Sequence, residues 1–475
     1  MKVLSVASEC APLVKTGGLA DVVGALPGAL AAEGVEMRVM LPAYPGLAET
    51  LQGAKAHPLG PGERLIAGRI GGIETLLHDA PALFAREGRG PYLGPDGRDW
   101  PDNALRFGRF AAAAARVARK GAGGWRPDVV HGHDWQAGPV AAFLVDEGPA
   151  TVFTVHNVAY QGRFAREIMG PLGLPEALFT LEGIEFHGGV GFLKAGLALS
   201  DRLTTVSPTY ARELTTPEFG EGLDGLFRAR AGVFEGVLNG IDAAVWDPAA
   251  DPALPAAFGP DDISGKAVCR AALAERFGIP PPEGPLVCVI SRLTRQKGLD
   301  LLADALPALL AEGGALVALG SGDADLEDAL RGWATAHPGR VAVEIGYDEP
   351  LAHLMQGGAD AILVPSRFEP CGLTQLCALR YGTVPVVART GGLADTVIDA
   401  NPAALAVGAA TGVMHDPGSA EALAAALRRL GSLWRDEATW AALRRAALRQ
   451  PVGWARSAAR YAEIYGEAAE ARAAA

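Results

Sequence analysis

The sequence predicts an α/β protein built from two Rossmann-like, doubly wound domains that face each other across a cleft. The first observation is length, because 475 residues exceed what one hydrophobic core usually supports. The second is the alternation of short apolar runs with longer helix-like stretches, which indicates βαβ units around mostly parallel sheets. The third is a break near residues 243–262, where a Pro-, Ala- and Asp-rich segment lacks periodicity before the alternation resumes.

The apolar runs of the first half are expected to form buried strands. They are Val3–Ala7, Met37–Leu41, Asp128–Val130, Thr151–Val155, Leu203–Val206 and Gly236–Leu238. Helical periodicity is found at Leu19–Ala32, Ala104–Lys120, Gly138–Asp146 and Gly191–Leu199. Residues 50–100 are less regular, and we expect β-hairpins there.

The second half repeats the pattern. Its expected strands are Leu286–Ile290, Ala315–Leu319, Val341–Ile345, Ala361–Val364 and Val384–Val387, and its expected helices are Leu299–Glu312, Asp325–Thr335, Leu351–Gly357 and Leu373–Tyr381. We therefore expect domains at residues 1–242 and 263–450, an interdomain linker at 243–262, and a helical C-terminal segment at 451–475. Ligands of such sheets bind beyond the carboxyl ends of the strands, so the strand-to-helix loops should contain the chemistry.

Composition excludes several classes of function. The formal net charge is -12, and no basic stripe suited to nucleic acid is present. No apolar run is long enough to predict a membrane span. The five cysteines form no Cys-x-x-Cys pair, which favours reduced thiols, and the N-terminal apolar run is too short for a signal peptide. A cytoplasmic protein is the expectation.

One hexapeptide occurs twice. Thr16–Asp21 reads Thr-Gly-Gly-Leu-Ala-Asp, and the same letters return at Thr390–Asp395. Each copy follows an expected strand and opens an expected helix. Paired glycines allow a backbone to approach a ligand closely, and a helix N-terminus offers free N–H groups to a phosphate or a hydroxyl. For either copy taken alone, an ordinary glycine turn remains an alternative.

Charged residues stand in several of these loops. Lys15 precedes the first Gly-Gly pair, and residues 291–298 place Arg292, Arg295 and Lys297 after a strand. Converging cations stabilise a departing diphosphate, because negative charge develops there as the bond breaks. Glu369 follows the strand Ala361–Val364, where a carboxylate is able to bind sugar hydroxyls. A solvated surface position is the alternative for each.

Three other patterns point to no cofactor. Gly320-Ser321-Gly322 begins a dinucleotide fingerprint, but Asp325 stands where the third glycine belongs. The carboxylates of Asp323–Asp325 begin an expected helix, which favours capping over metal binding. Residues 131–134 contain two histidines and one aspartate without further ligands nearby, which is a weak metal signal. We expect neither a metal nor another cofactor.

Taken together, the motifs identify a family. The chain resembles the bacterial glycogen synthases, which are starch-synthase-like retaining glycosyltransferases with the GT-B fold. The motifs that support the resemblance are Lys15–Asp21, His133-Asp134-Trp135, Thr154–Gly162, Asn239–Asp242, Ser291–Gly298, Pro365–Gln375 and Arg389–Val397. They span nearly the full length and are specific only in combination.

The resemblance implies transfer of glucose from ADP-glucose to the non-reducing 4-hydroxyl of an α-1,4-glucan, with retention of configuration. Residues with an expected catalytic role are Glu369, His156, Lys15, Arg292 and Lys297. Residues expected to bind substrates are Lys15, Gly17, Gly18, Asp21, Asp134, Trp135, Asn157, Asn239, Tyr347, Cys371, Gly372, Leu373, Thr374, Thr390, Gly391 and Gly392. Within this set, Lys15, Arg292 and Lys297 would hold the diphosphate and Glu369 the glucose. Tyr347 would stack on the adenine, and Asp134 and Trp135 would lie on the acceptor side. The C-terminal helix would cross back to the first domain.

One position departs from the wider superfamily. A second glutamate is usual eight positions after the first, and Cys377 stands there. Members of the family also tend to lack that glutamate, so the departure affects only the contact made at Cys377. The remaining alternatives are the same fold with UDP-glucose or another acceptor, and a nonenzymatic glucan-binding protein. Oligomeric state is not predicted.

Overall fold

The chain divides into two compact units. A computed structural model describes residues 1–474. The first unit contains residues 1–239 together with the terminal segment from Trp454 onward, and the second contains Gly240–Gly453. The chain thus leaves the first unit after Asn239 and returns to it after Gly453. Residues 243–262, expected to form a linker, belong to the second unit.

The first unit is organised around a nine-stranded sheet. Its strands are β1 (Lys2–Val6), β2 (Glu36–Pro42), β3 (Gln52–Gly60), β4 (Glu63–Ile70), β5 (Ile73–Asp79), β6 (Val129–His133), β7 (Ala150–Val155), β11 (Arg202–Thr205) and β12 (Phe234–Gly236). They lie in the order β12-β11-β7-β6-β1-β2-β5-β4-β3. Strand β4 runs opposite to the other eight strands of this sheet, and it forms hairpins with β3 and with β5. The hairpins expected within residues 50–100 are therefore confirmed for Gln52–Asp79.

Helices cover this sheet. They are α1 (Gly18–Ala31), α2 (Pro81–Phe84), α3 (Asn103–Lys120), α4 (Asp134–Ala137), α5 (Pro139–Leu144), α6 (Met169–Leu172), α7 (Phe192–Leu199), α8 (Pro208–Glu213) and α9 (Asp224–Ala229). A second, three-stranded antiparallel sheet consists of β8 (Arg163–Phe164), β9 (Glu185–Phe186) and β10 (Gly189–Gly191), with β10 in the centre. The core strands β1, β6 and β7 are almost entirely buried, as parallel strands with helices on both faces must be.

The second unit contains a six-stranded parallel sheet. Its strands are β13 (Leu286–Ile290), β14 (Ala315–Gly320), β15 (Val341–Ile345), β16 (Ala361–Val364), β17 (Val384–Ala388) and β18 (Val413–His415). Their order is β15-β14-β13-β16-β17-β18. Counted within the unit this is 3-2-1-4-5-6, the order of a Rossmann fold, with its reversal point between β13 and β16.

The helices of the second unit alternate with these strands. They are α10 (Gly265–Arg276), α11 (Leu302–Ala311), α12 (Ala324–Ala336), α13 (Glu349–Gly358), α14 (Thr374–Arg380), α15 (Gly391–Thr396), α16 (Pro402–Ala406), α17 (Ala420–Arg435) and α18 (Glu437–Leu448). The two-domain α/β class predicted from the sequence is confirmed. Strand β18 and helices α17 and α18 were not among the expected elements.

The segment that opens the second unit is anchored to its helices. The ring of Trp246 stacks on His353 of α13, with ring centres 3.9 Å apart. Buried Asp251 accepts a hydrogen bond from the hydroxyl of Tyr381 and lies 2.7 Å from His353 Nδ1. A stretch with the composition of a linker is therefore held by a buried carboxylate and an aromatic stack.

The last helix belongs to the first unit. Helix α19 (Ala455–Ala474) buries Tyr461, Ile464 and Tyr465 in a cluster with residues of β1, α1, β6 and β7. The hydroxyl of Tyr465 also lies 2.8 Å from Nδ1 of His131 on β6. No helix within residues 1–474 has both the length and the apolar character needed to cross a lipid bilayer.

Candidate active site

In the second unit, two loops leave the sheet on either side of its reversal point. One follows β13 and contains residues 291–298, and the other follows β16 and contains residues 365–373. In doubly wound sheets this is where ligands bind. The two loops that the sequence selected for a diphosphate and a sugar are therefore neighbours in space.

Their charged side chains meet. Lys297 Nζ lies 2.6 Å from Glu369 Oε2, and the two side chains are 19% and 7% exposed. The hydroxyl of Ser366 donates a second hydrogen bond, of 2.8 Å, to the same carboxylate oxygen. A buried carboxylate requires such partners, because desolvation would otherwise be very costly. The pairing of Lys297 with Glu369 was not anticipated from the sequence, although both residues were selected.

A glycine-ended turn and hydrogen bonds between the two loops hold them in fixed positions relative to each other. Residues Arg295–Lys297 form a single 3₁₀-helical turn, and Gly298 ends it with a φ of 69°, a conformation that glycine adopts readily. The N–H of Arg367 donates to the carbonyl of Gln296 at 2.9 Å, and the Gln296 side chain donates back to the carbonyl of Phe368 at 3.2 Å. These reciprocal bonds fix Lys297 opposite Glu369.

The other two cations of the first loop differ. Arg295 forms an ion pair of 2.8 Å with Asp325, which accounts for one carboxylate at the start of α12. Asp323 occupies the N-cap position of α12, but its side chain makes no capping hydrogen bond, so the capping expected there is absent. Arg292 is exposed, and within residues 1–474 its guanidinium forms no ion pair. Arg292 is thus the arginine of this loop that is available to an incoming anion.

The second Gly-Gly pair supports the Glu369 loop. Gly391 has a φ of 43°, and a Cβ placed on it would lie 1.9 Å from the carbonyl oxygen of Glu369. A Cβ on Gly392 would lie 2.3 Å from the carbonyl oxygen of Cys371. Gly392 N–H also donates to the carbonyls of Glu369 and Pro370. Thr390 and both glycines are buried, so these glycines are required for packing whether or not they contact a substrate.

The rest of the loop is held from within. Gln375 is fully buried and donates to the carbonyls of Cys371 and Gly372 at 3.0 and 2.8 Å. Gly372 adopts a φ of 73° next to it. Leu373 and Thr374 are half-buried at the start of α14. The substrate contacts expected at Cys371, Gly372, Leu373 and Thr374 remain predictions.

Two further positions of the second unit differ in exposure. Tyr347, expected to stack on a base, follows β15 and is 73% exposed, so its ring is accessible. Cys377 is buried in an apolar cluster with Ile241, Leu376, Leu379 and Val452. The position that carries a second glutamate in the wider superfamily is therefore part of the core here.

In the first unit, the sheet order reverses between β1 and β6, and the expected residues again follow these strands. Asp134 comes directly after β6 and has a φ of 56°, a rare conformation for a residue with a Cβ. Its Oδ1 accepts a hydrogen bond of 2.7 Å from the N–H of His156 at the end of β7. Strained backbone of this kind is concentrated at functional sites.

The electrostatics of Asp134 are unusual. Burial raises the pKa of Asp134 to about 7, although hydrogen bonds from the N–H groups of His156 and Asn157 oppose the rise, and the nearby charge of Glu9 adds to it. An aspartate with this pKa exchanges a proton near neutral pH. The shift of the pKa could not be predicted from the sequence, because its main cause is burial.

His156 is paired with another histidine. Its Nε2 lies 3.0 Å from Nδ1 of His133, and Nε2 of His133 lies 3.1 Å from the hydroxyl of Ser5. All three side chains are buried. Burial lowers the pKa of His156 to about 3, and it holds the pKa of His133 well below its usual range. Both rings are therefore neutral at physiological pH.

Trp135 is packed among aromatic side chains. Its ring lies 5.1 Å from that of Phe107 and 5.6 Å from that of Phe164, measured between centres. Gly162, with a φ of 58°, passes so close that a Cβ there would meet the indole at 2.4 Å. Trp135 is half-buried, so its packing role is established and its acceptor contact remains a prediction.

The Lys15 loop is more open. Lys15 Nζ lies 2.8 Å from Asp21 Oδ1, and both side chains are about one-third exposed, at 37% and 35%. A Cβ on Gly17 would meet nothing within 4 Å. Gly18, the first residue of α1, is exposed. A ligand is therefore able to reach this loop.

The Lys15 loop also has a buried support that the sequence reading missed. Glu9 is 3% exposed, and its carboxylate accepts two hydrogen bonds of 2.6 Å from the N–H and hydroxyl of Thr16. The hydroxyl of Tyr92 donates to the same carboxylate. Glu9 follows β1, and this position at a strand end was the signal that would have identified it.

Two asparagines, Asn239 and Asn157, are the remaining expected site residues of the first unit. Asn239 is 8% exposed, and within residues 1–474 its side-chain oxygen has no hydrogen-bond partner. A buried polar atom without a partner is rare and often faces a ligand. Asn157 accepts a hydrogen bond of 3.1 Å from the N–H of Ala159, which leaves its amide donors available. The described residues contain no group of three or more metal-ligating side chains that could hold an ion.

Comparison with family profiles agrees with this division of the chain. A profile described as the starch synthase catalytic domain matches residues 2–229. A second profile, described as glycosyl transferases group 1, matches residues 274–445. The first profile covers the nine-stranded sheet except for β12, and the second covers all six strands of the second sheet.

Curated relatives match over the whole length. The chain is 57% identical to a glycogen synthase of Roseobacter denitrificans over 474 residues, which covers 98% of this chain and 99% of the relative. It is 53% identical to a glycogen synthase of Rhodopseudomonas palustris, covering 99% of this chain and 98% of that protein.

Solved structures match as well. The catalytic domain of starch synthase IV from Arabidopsis thaliana, bound to ADP and acarbose, superposes with a TM-score of 0.88 and is 31% identical, covering 99% of both chains. A sucrose-phosphate synthase from Thermosynechococcus elongatus, at 19% identity and a TM-score of 0.61 with 98% of both chains covered, shares the fold. With the family resemblance, the full-length identities and the two Rossmann-like sheets in agreement, this chain belongs to the bacterial glycogen synthase family of GT-B glycosyltransferases.

Proposed function

We propose that this chain transfers glucose from ADP-glucose to the non-reducing 4-hydroxyl of an α-1,4-glucan and retains the anomeric configuration. The observation that most strongly supports a nucleotide-sugar site is the contact between Lys297 and Glu369 at the reversal point of the second sheet. In this proposal Lys297 is the cation that binds a phosphate, and Glu369 beside it is the carboxylate that binds a sugar. The ADP and the acarbose, a sugar ligand, of the similar starch synthase IV support the choice of donor and acceptor.

In the second unit, the donor diphosphate binds Arg292 and Lys297. An ammonium has three N–H donors, and Glu369 accepts from one of them, so two remain for phosphate oxygens. Arg292 is exposed and supplies a planar fork of donors. Glu369 binds the glucose hydroxyls, and the exposed ring of Tyr347 stacks on the adenine.

In the first unit, His156 and Asn239 bind the transferred glucose. The unpartnered oxygen of Asn239 accepts a hydrogen bond from a sugar hydroxyl, and His156 presents a neutral ring nitrogen. Asp134 and Trp135 lie on the acceptor side. Lys15 and its Gly17–Gly18 turn contribute to binding of the donor phosphate.

The reaction proceeds by attack on the face from which ADP leaves. The bond between the anomeric carbon and the phosphate oxygen breaks, and the acceptor 4-oxygen bonds to the same carbon. The acceptor proton passes to the departing phosphate, so no protein nucleophile is needed. A glucosyl group trapped on a carboxylate of this chain would contradict this mechanism.

The proposal includes no metal cofactor. Arg292, Lys297 and Lys15 supply positive charge for the diphosphate, which is the task that a divalent cation performs in many other transferases. We therefore expect the rate to be unchanged after dialysis against EDTA. We also assign the enzyme to the cytoplasm, because its five cysteines are buried free thiols.

The test is a donor panel with the purified protein. ADP-glucose and UDP-glucose are each supplied with glycogen as primer, and released nucleotide and glucan chain growth are both measured. We expect ADP-glucose to be used with a kcat/KM at least about tenfold higher, which corresponds to about 1.4 kcal/mol of discrimination. Preference for UDP-glucose would contradict the donor assignment.

A variant pair separates the enzyme from a glucan-binding protein without turnover. Glu369→Gln should lower kcat by about two orders of magnitude or more, because the interaction is strongest in the transition state. Glu327→Gln changes an α12 glutamate that is bonded to Arg331, and it should leave the rate unchanged. Binding of glycogen by the unaltered chain without release of nucleotide would favour the nonenzymatic alternative.

A further inference from the structure

We propose that His133, together with Ser5, is a positioning residue that holds the His156 ring in one orientation and in one tautomer. This inference rests on the proposed function, in which His156 contacts the transferred glucose. His133 does not reach the open side of the site itself, and its effect passes through His156.

The three residues form a hydrogen-bonded relay across three adjacent strands. Ser5 lies on β1, His133 is the last residue of β6, and His156 follows β7, and these strands are neighbours in the sheet. The two links are 3.1 Å, between Ser5 Oγ and His133 Nε2, and 3.0 Å, between His133 Nδ1 and His156 Nε2. Ser5 and His133 are almost fully buried, and His156 is 8% exposed.

Neutral imidazoles make the two links interdependent. Each neutral ring has one N–H donor and one acceptor nitrogen. If Ser5 donates to His133, His133 must donate to His156, and the proton of His156 is then on Nδ1. If His133 donates to Ser5 instead, His156 must donate to His133, and its Nδ1 becomes an acceptor. The direction of the hydrogen bond between Ser5 and His133 therefore determines whether His156 Nδ1 is a donor or an acceptor.

The free nitrogen of His156 is the one that a substrate would meet. Within residues 1–474 no hydrogen bond engages His156 Nδ1, whereas Nε2 is occupied by His133. A sugar hydroxyl at Nδ1 must match a donor or an acceptor. Loss of the relay would leave the ring free to rotate and both tautomers populated, so only a fraction of the enzyme would be matched to the sugar.

The surroundings keep the relay neutral. Burial depresses the pKa of His133 and of His156, and it also lowers the pKa of neighbouring His131 to about 3. The ring of His131 lies 4.0 Å from that of His133. His131 hydrogen-bonds instead to Tyr465 and Thr154, so within residues 1–474 it shares the burial of His133 but forms no hydrogen bond with His156. It therefore provides a matched control.

The first test is the ¹⁵N NMR spectrum of histidine-labelled enzyme without donor, with the His156 signals assigned by their loss in His156→Gln. We expect a single tautomer of His156 in the unaltered chain and in His131→Phe. In His133→Phe we expect a mixture of tautomers. Unchanged His156 nitrogen shifts in His133→Phe would overturn the proposal.

The second test is kinetic and uses rescue. His133→Phe should lower kcat/KM for ADP-glucose by roughly 10- to 100-fold, because a misplaced contact costs about this much. His133→Asn puts an amide where Nδ1 stood and should recover most of the loss, whereas His131→Phe should change stability but not kcat/KM of the folded fraction. Equal defects in His133→Asn and His133→Phe would also overturn the proposal.

The relay and the donor assignment can be tested independently of each other. The NMR measurement needs no substrate and reports only on the relay. If the unaltered chain used a different donor but showed the expected tautomers, the relay would stand and the donor assignment would be wrong.

Discussion

The two copies of Thr-Gly-Gly-Leu-Ala-Asp have the same letters and different surroundings. In the first copy, Gly17 has a φ of -162° and open space where a Cβ would be. In the second, Gly391 has a φ of 43° and would place a Cβ 1.9 Å from the carbonyl oxygen of Glu369. The first turn is accessible to a ligand, whereas the second is occupied by the protein's own backbone.

The difference shows that a glycine pair makes room for close approach, and that the approaching group can be a ligand or another segment of the protein. At residues 390–392 the approaching group is the loop that carries Glu369, and at residues 16–18 the space is open to solvent. One sequence pattern therefore has two physical explanations, and only the surroundings distinguish them. Substitutions in and around the two copies test this contrast.

Gly391→Ala should have the largest effect. The added methyl collides with backbone, and alanine is strained at a positive φ, so we expect a loss of about 3 kcal/mol in the free energy of unfolding. Displacement of Glu369 should also reduce kcat at least about 100-fold in the protein that still folds. Urea denaturation and initial rates measure the two effects.

Gly17→Ala is the matched control. Its backbone is extended and its surroundings are open, so we expect the free energy of unfolding to change by no more than about 0.5 kcal/mol. If both alanine variants lost the same stability, the contrast between the copies would be wrong.

Asp134→Asn applies the same contrast between open and buried surroundings to a charged group, because the Asp134 carboxylate is buried. The pKa of Asp134 is about 7 in the folded state, above the ordinary value of 3.8, so the folded state binds the proton more tightly. Stability from this group is complete below pH 3.8 and is lost as the pH rises to about 7. The pKa difference corresponds to about 4 kcal/mol at pH 8. Asparagine keeps the acceptor for His156 N–H but has one acceptor oxygen fewer, so we expect it to raise the free energy of unfolding by about 2 kcal/mol at that pH.

The measurement for Asp134→Asn is urea unfolding at pH 4.5 and at pH 8. The gain in stability should shrink at the lower pH, where the aspartate is protonated in the folded state. An equal gain at both values would indicate a cause other than the buried charge.

Lys15→Gln tests the open copy as a ligand site. We expect KM for ADP-glucose to rise about tenfold, which corresponds to about 1.4 kcal/mol of binding. Arg389 is also exposed and precedes the second copy as Lys15 precedes the first, so Arg389→Gln is the position-matched control. If only the first copy faces the donor, Arg389→Gln should change KM for ADP-glucose less than twofold. Equal increases would mean that both copies face the donor.

Asp21→Asn should have the smallest effect. Asp21 orients Lys15 through the 2.8 Å ion pair, and its removal should raise KM for ADP-glucose about threefold, within the range of exposed ion pairs. A fall in KM would instead show that Asp21 competes with the donor for Lys15. Asp395→Asn, at the same place in the second copy, provides the comparison.

The sequence was sufficient for most strands of the two large sheets and for the loops that follow them. Strands β13, β15 and β16 have the predicted bounds, because short apolar runs between turn residues are a local signal. Glu369 and Lys297 were selected for the same reason, since each stands at the end of such a run. Helices α17 and α18 and strand β18 lie in the last part of the second unit, where no expected elements were assigned.

Long-range partners were beyond the sequence. Tyr92 meets Glu9 across 83 positions, and His133 meets Ser5 across 128. Nothing local encodes such pairs, because they arise only when β1, β6 and the loop containing Tyr92 are packed together. The left-handed backbone of Asp134 and the raised pKa of its carboxyl are likewise products of tertiary packing.

The return of helix α19 to the first unit has a consequence for how the protein is made. The second unit is a continuous stretch, Gly240–Gly453, and every strand of its sheet is present once that stretch has left the ribosome. The first unit begins synthesis earlier but lacks Tyr461, Ile464 and Tyr465 until the whole of Gly240–Gly453 has been made. The apolar surfaces of β1, β6 and β7 that α19 covers therefore stay exposed while the second unit is synthesised. The unit whose synthesis begins first is therefore the unit that is completed last.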